Sequence, residues 1–279
     1  QVGRRIMAHS AHRSRICRVS KSSQSPVIYA AHSVTGRVRT HNEDALICRP
    51  ELGLWALADG MGGHARGEVA SAAALDGLVS AVEQGRDLRT AVQMAHAAVL
   101  AAAAGDHERA GMGSTLVAVK LDGTAFELTW VGDSRAYRVG IDHVEQLSHD
   151  HSWVQAMVDS GQMSRAEARE HPRRNLILQC LGQGEPPEAD VQRVCLDPDE
   201  LLLLCSDGLT AELDDDEIQR CCAEAASLES MVEELIDLAN GHGGRDNITC
   251  IVLAFGPPAD DGDGVAPAPG LLRKLLNLR

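Results

Sequence analysis

Four aspartates stand where apolar runs end or begin. Asp59 closes Trp55-Ala56-Leu57-Ala58 and opens the loop Gly60-Met61-Gly62-Gly63-His64. Asp207 follows Leu201-Leu202-Leu203-Leu204-Cys205-Ser206 and precedes Gly208. Asp133 follows the run at 126–132, and Asp246, in Gly243-Gly244-Arg245-Asp246-Asn247, directly precedes the apolar run at 248–255. A carboxylate at the end of a buried strand is costly unless a positive partner awaits it. No Cys or His recurs at these positions, so the donors are oxygens and the implied partners are hard divalent cations, Mg²⁺ or Mn²⁺, rather than zinc. Gly60 has no side chain, which lets its carbonyl approach an ion closely.

This set suggests phosphorus chemistry. Two cations a few ångströms apart offset the clustered negative charge, lower the pKa of a water held between them and clamp an in-line transition state. Arg39 adds a guanidinium fork that fits two phosphoryl oxygens. No serine or cysteine nucleophile is required.

The elements that must position these groups are readable in part. Residues 27–34 read as a first strand, then a polar loop holding Arg39 and Glu43-Asp44 enters a strand at 45–48. Val69, Ala72, Leu75, Val79 and Val82 recur at helical spacing, as do Leu88, Val92, Ala95 and Val99 beyond Gly85, which predicts two antiparallel amphipathic helices. Strands at 113–120, 125–131 and 136–139, joined by turns such as Asp122-Gly123, form an antiparallel meander. Residues 148–184 are irregular and polar, with short helices at 153–160 and 164–170, and read as a flap over the site. Strands return at 191–196 and 201–205, followed by a helix from Asp215, another at 228–239 stopped by Asn240-Gly241, and a last strand at 248–255.

The 279 residues, 44% hydrophobic with 3% aromatics, suffice for one large aliphatic core or two modest ones. The first 42 residues carry eight Lys or Arg and no acid, leaving 18 basic against 40 acidic residues in the remainder. The acidic body argues against a nucleic-acid or anionic-membrane surface. Residues 1–25 read as a flexible basic extension, 26–256 as the folded domain, and 257–279 as a linker ending in a short basic amphipathic tail, which either docks on a partner or membrane or packs on its own domain. Eight cysteines, mostly inside apolar runs and without a CxxC pair, suggest reduced, buried thiols and a cytoplasmic protein. No apolar run is long enough to span a bilayer, and no signal-peptide core is visible. No apolar surface stripe is left over, so a monomer is expected.

Taken together, Arg39 with Asn42-Glu43-Asp44, the Asp59-Gly60-Met61-Gly62-Gly63-His64 loop, Gly113-Ser114-Thr115, Gly132-Asp133-Ser134-Arg135, Ser206-Asp207-Gly208-Leu209 and Asp246-Asn247 resemble the metal-dependent type 2C (PPM) Ser/Thr protein phosphatases. The likeness covers about residues 27–255, and Leu147-Ser148-His149-Asp150-His151-Ser152 resembles the bacterial branch. It implies an α+β fold, an αββα sandwich of two antiparallel sheets flanked by helix pairs. By that likeness Asp59 bridges two Mn²⁺ or Mg²⁺ ions, the Gly60 carbonyl binds one, and Asp207 and Asp246 hold the other. Glu43 supports the first metal through water with Asp44 beside it, Asp133 joins Asp207 at a weaker third site, and Arg39 clamps phosphate. Animal members place a proposed general-acid histidine where this chain has Met61, which leaves His64, then His41, then a metal-bound water as the acid. The implied activity is metal-dependent hydrolysis of phosphoserine and phosphothreonine in proteins, opposing a partner Ser/Thr kinase in bacterial signalling. A catalytically silent adaptor of the same fold, or a hydrolase of another phosphate ester, are the alternatives.

Overall fold

The computed structural model describes residues 27–62, 65–106, 110–197 and 199–255. The basic extension, the C-terminal tail and His64 lie outside them. In chain order the elements are strands β1 (Val27–Val34), β2 (Asp44–Arg49) and β3 (Leu54–Met61), helices α1 (Ala65–Glu83) and α2 (Leu88–Ala103), and strands β4 (Gly113–Ser114), β5 (Leu116–Asp122), β6 (Ala125–Val131), β7 (Arg135–Val139) and β8 (Val144–Gln146). Helices α3 (Trp153–Asp159) and α4 (Arg165–Glu170) make the flap. Then come β9 (Asp190–Val194), β10 (Leu201–Cys205), α5 (Asp207–Thr210), α6 (Asp215–Glu224), α7 (Leu228–His242) and β11 (Ile248–Phe255).

Alternation along β10 explains why it reads as an unbroken apolar run. Leu202 and Leu204 enter a core with Trp55, Leu57, Val117 and Leu253, while Leu201, Leu203 and Cys205 enter another with residues of α6 and α7. Both faces of the strand are covered, so neither is polar. The first core lies between two antiparallel sheets, of order β1-β11-β10-β7-β8 and β2-β3-β5-β6-β9, with β4 on β3. Helices α1 and α2 close the outer face of the second sheet through Ala70, Ala74, Leu78, Ala91, Val92 and Ala95. Small alanines there allow close approach, and a Cβ on Gly77 would come within 2.8 Å of the Ala95 Cα. The four layers are helix, sheet, sheet, helix.

Four details differ from the sequence reading. The strand at 113–120 is two segments, because the Asp59 N–H donates to the Thr115 hydroxyl at 2.9 Å rather than to a ladder carbonyl. Helix α7 runs through Asn240-Gly241 to His242 and stops at Gly243, whose φ of 153° suits only glycine. Strand β8 and the single turn α5 were not anticipated. Cys195 is exposed, while Cys205, Cys221, Cys222 and Cys250 are buried, and all the described cysteines are free. Among the described residues, no helix is long and apolar enough to cross a membrane.

Candidate metal centre

The acids meet because strands from both sheets end at the same edge of the sandwich. In the β2–β3 ladder Asp44 stands directly opposite Asp59. Like charges facing each other across an antiparallel pair are unfavourable unless something offsets them. Asp207 begins α5 immediately after β10 and lies near enough to Asp59 to disfavour its charge. Asp246 precedes β11, the neighbour of β10.

Backbone packing fixes these positions tightly. A Cβ on Gly60 would fall 2.0 Å from the Gly67 carbonyl oxygen and 2.7 Å from that of Glu43, and one on Gly208 would fall 2.0 Å from the Asn247 carbonyl oxygen. Neither site has room for any other residue. The Gly60 N–H donates to the Glu43 carbonyl, tying the Asp59 loop to the Glu43 loop. Asn247 ties that loop in turn to the Asp246 turn: its Oδ1 accepts the Glu43 N–H, and its Nδ2 donates to the carbonyls of Thr35 and His41.

Electrostatics in the cluster are dominated by burial and mutual repulsion. Burial, then Asp44, Asp207, Asp133 and Asp246, raises the Asp59 carboxyl well above the usual range. Asp207 is raised to about 6 by burial and Asp246. Asp44 is raised to about 7, again first by burial, although the Ser206 and Thr249 hydroxyls donate to its Oδ2 at 2.9 and 2.6 Å. Burial likewise raises Glu43, offset in part by the Gly67 N–H, and Asp133, with Asp207 and Asp150 adding to the latter. Glu43 Oε1 and Asp44 Oδ1 are buried and accept no hydrogen bond.

Arg39, expected to clamp phosphate, lies at this edge half-exposed and paired with one of the acids. Its Nη2 donates to Asp246 Oδ2 at 2.7 Å. Among the described residues, no three His, Cys, Asp or Glu side chains are disposed to hold one ion as they stand. The donor chemistry nonetheless fits hard divalent cations: every group is an oxygen, the charge is densely one-signed, and two buried carboxylate oxygens lack partners. His41 is exposed, bonded to Thr40, and close enough to Glu43 to favour its charged form.

A protein-family model described as protein phosphatase 2C matches residues 35–252. The chain belongs to that family. The serine/threonine phosphatase stp of Listeria innocua serovar 6a is 34% identical over 231 residues, 78% of this chain and 92% of that protein. Among solved structures, the Mycobacterium tuberculosis serine/threonine phosphatase PstP/Ppp superposes with a TM-score of 0.75 at 35% identity, covering 83% of this chain and 99% of that one. A structure of the PstP catalytic domain in complex with two manganese ions matches with a TM-score of 0.72 at 33% identity, over 83% of this chain and 99% of that one. The two-sheet, helix-flanked architecture of this family member is the family fold.

Several residues of the quoted motifs, and Thr249 beside them, make contacts around the centre that the sequence alone does not show. Thr115 holds the Asp59 N–H and contacts the Ser134 hydroxyl at 2.7 Å, while Ser206 and Thr249 hold Asp44. Their signal was a hydroxyl set inside an apolar strand, as in Ile248-Thr249-Cys250. Arg135 grips Asp150 through both Nε and Nη2 and donates to the Tyr137 hydroxyl, fastening the base of the flap to β7. His149 bonds Asp159 and His151 Nδ1 accepts the Gly132 N–H, so both anchor the flap.

Proposed function

We propose that the protein is a phosphoprotein phosphatase that hydrolyses phosphoserine and phosphothreonine by direct attack of water, reversing the work of a Ser/Thr kinase. The observation that carries this reading is the meeting of Glu43, Asp59, Asp207 and Asp246 at one edge of the sandwich, close enough that their charges act on one another. The names of the relatives and the two manganese ions of the PstP catalytic domain support it.

Asp59 and the Gly60 carbonyl, with Asp207, Asp246 and Glu43, would hold two Mn²⁺ or Mg²⁺ ions, and Asp133 with Asp207 a third and weaker one. When bound, such ions supply a water acidic enough to act as a nucleophile at neutral pH and positive charge for the phosphoryl oxygens. Arg39 and the ions compete for Asp246. Once Asp246 turns away, the half-exposed guanidinium is free to take two phosphoryl oxygens. Asp44, fixed by two hydroxyls, keeps Asp59 in place from the facing strand. The leaving alkoxide would take its proton from His64, from His41 or from a metal-bound water. The buried free thiols fit a cytoplasmic setting, and the scattered exposed apolar residues fit a monomer.

Hydrolysis of phosphoserine, phosphothreonine and phosphotyrosine peptides, each with EDTA, Mg²⁺ or Mn²⁺, tests the reading. Metal-dependent release of phosphate from the first two is expected. Inactivity on every ester with every metal would instead favour a binding role for the fold.

A further inference from the structure

Between the flap and the acidic edge lies a cavity of about 510 Å³, of the size that holds a side chain or small ligand. Asp133 and Asp207 line it from the acidic edge, and Arg165 and Arg169 of α4, with Arg174 after that helix, line it from the flap. The two helical arginines are four residues apart and share one face of α4. All three are exposed, and none makes an ion pair with a described residue.

Of the acids that line the cavity, Glu145 is paired with Arg138, Asp133 and Asp207 belong to the acidic edge, and Asp215, the first residue of α6, lines it as well. Glu167 closes the capping box of α4 by accepting from the Ser164 N–H and hydroxyl, at 2.8 and 2.7 Å. Asp159, the acid that responds to Arg165, is held by His149 and Gln155, and Asp150 is held by Arg135. Other flap cations do have partners: Arg173 lies 5.3 Å from the centre of the Trp153 ring. Arg165, Arg169 and Arg174 outnumber Asp215, the lining acid left to them outside the acidic edge, and their mutual repulsion falls when an anion joins them.

We propose that this cavity receives the peptide chain next to the phosphorylated residue, and that Arg165, Arg169 and Arg174 select substrates carrying a second anionic group there. The inference rests on the phosphatase reading and specifies its substrate: a phosphoprotein segment with a further phosphorylated or carboxylic side chain close to the scissile phosphate. Guanidinium forks accept either anion, and a phosphate engages more of their donors.

The test is steady-state hydrolysis, with Mn²⁺, of matched phosphothreonine peptides whose flanks are neutral, glutamate-bearing or phosphoserine-bearing. Wild type is compared with R165Q/R169Q and R165K/R169K, and a small aryl phosphate, which has no flanking chain, is the control. Wild type is expected to have a KM about tenfold lower for the anionic flanks, the scale of one or two charge-assisted hydrogen bonds. R165Q/R169Q should lose that preference with kcat and aryl-phosphate turnover retained, and R165K/R169K should restore part of it. The arm with the larger KM drop identifies the anion. Equal KM values across the wild-type peptides, or a preference that survives in R165Q/R169Q, would overturn the proposal. Failure of wild type to turn over even the aryl phosphate would overturn the phosphatase reading instead. Fluorescence anisotropy with the same peptides would then decide the selectivity separately, a preference for anionic flanks supporting it and equal binding refuting it.

Discussion

The acidic edge and the flap wall carry opposite charge and are built in opposite ways. At the edge, the acids sit on or beside strands of the two sheets and are fixed by backbone packing so close that Gly60 and Gly208 admit no side chain. At the wall, the arginines are exposed, on or beside a six-residue helix with no buried residue, steadied chiefly by the Ser164–Glu167 capping box. The comparison teaches a division of labour. Groups that must hold charge against repulsion need a scaffold whose core stabilises the fold independently, whereas groups that choose among substrates need only reach them.

The largest expected effect comes from relieving the repulsion at the edge. Asp59→Asn removes a charge from a cluster in which burial and four neighbouring acids disfavour it. Activity should fall by roughly two or more powers of ten, while the EDTA-treated variant melts at a higher temperature than EDTA-treated wild type. Loss of both activity and stability would mean that Asp59 serves the fold.

The same repulsion sets a pH dependence. Asp44 at about 7 and Asp207 at about 6 lie above ordinary carboxylates, so the folded protein binds protons that the unfolded chain has lost. Their contribution to stability is complete below the ordinary carboxylate range and is lost as pH rises through these values. Differential scanning calorimetry of the chelated protein should therefore show Tm falling between about pH 5 and about pH 8, and saturating Mn²⁺ should flatten the fall. A Tm that rises over this interval in EDTA would contradict the placement of these acids.

A smaller effect tests the contact between the two charge signs at the edge itself. Arg39→Ala should lower kcat/KM by about tenfold, through loss of a bidentate phosphate contact. Isothermal titration should find Mn²⁺ bound no more weakly, because Arg39 competes for Asp246. Weaker binding would mean that the guanidinium organises the acids instead. The smallest effect belongs to the wall: Ser164→Ala removes the cap of α4 at a cost of about 1 kcal/mol, and should leave aryl-phosphate turnover unchanged while blurring any preference among peptides.

The edge was far more legible in the sequence than the wall. Strand ends such as Leu204-Cys205-Ser206-Asp207 announce themselves because an apolar run must stop where a charge begins, and β1, β6, β10 and β11 match the expected bounds throughout. Alanine and valine at helical spacing likewise marked α1 and α2. What stayed hidden depends on contacts distant in sequence. Nothing local to Thr115 says that its hydroxyl takes the Asp59 N–H 56 residues away, nor does Arg39 reveal its pairing with Asp246 across 207 residues. The arginines of the flap were visible only as members of an irregular polar segment. Their common cavity appears once α4 and the turn after it are folded back over Asp133 and Asp207. Helix α7 overran its expected stop because one interior glycine is tolerated, and only Gly243 takes the backbone angle that ends it.

The most direct test of the central claim is to count the ions. Isothermal titration of Mn²⁺ into the full chain, before and after Asp207→Asn, reads the sites without reference to any substrate. At least two Mn²⁺ per chain in wild type, with one or more lost in the variant while circular dichroism is unchanged, is the expected result. Absence of saturable Mn²⁺ binding to the folded wild-type protein, or the same stoichiometry and affinity in Asp207→Asn, would contradict the assignment of this acidic edge as the metal centre.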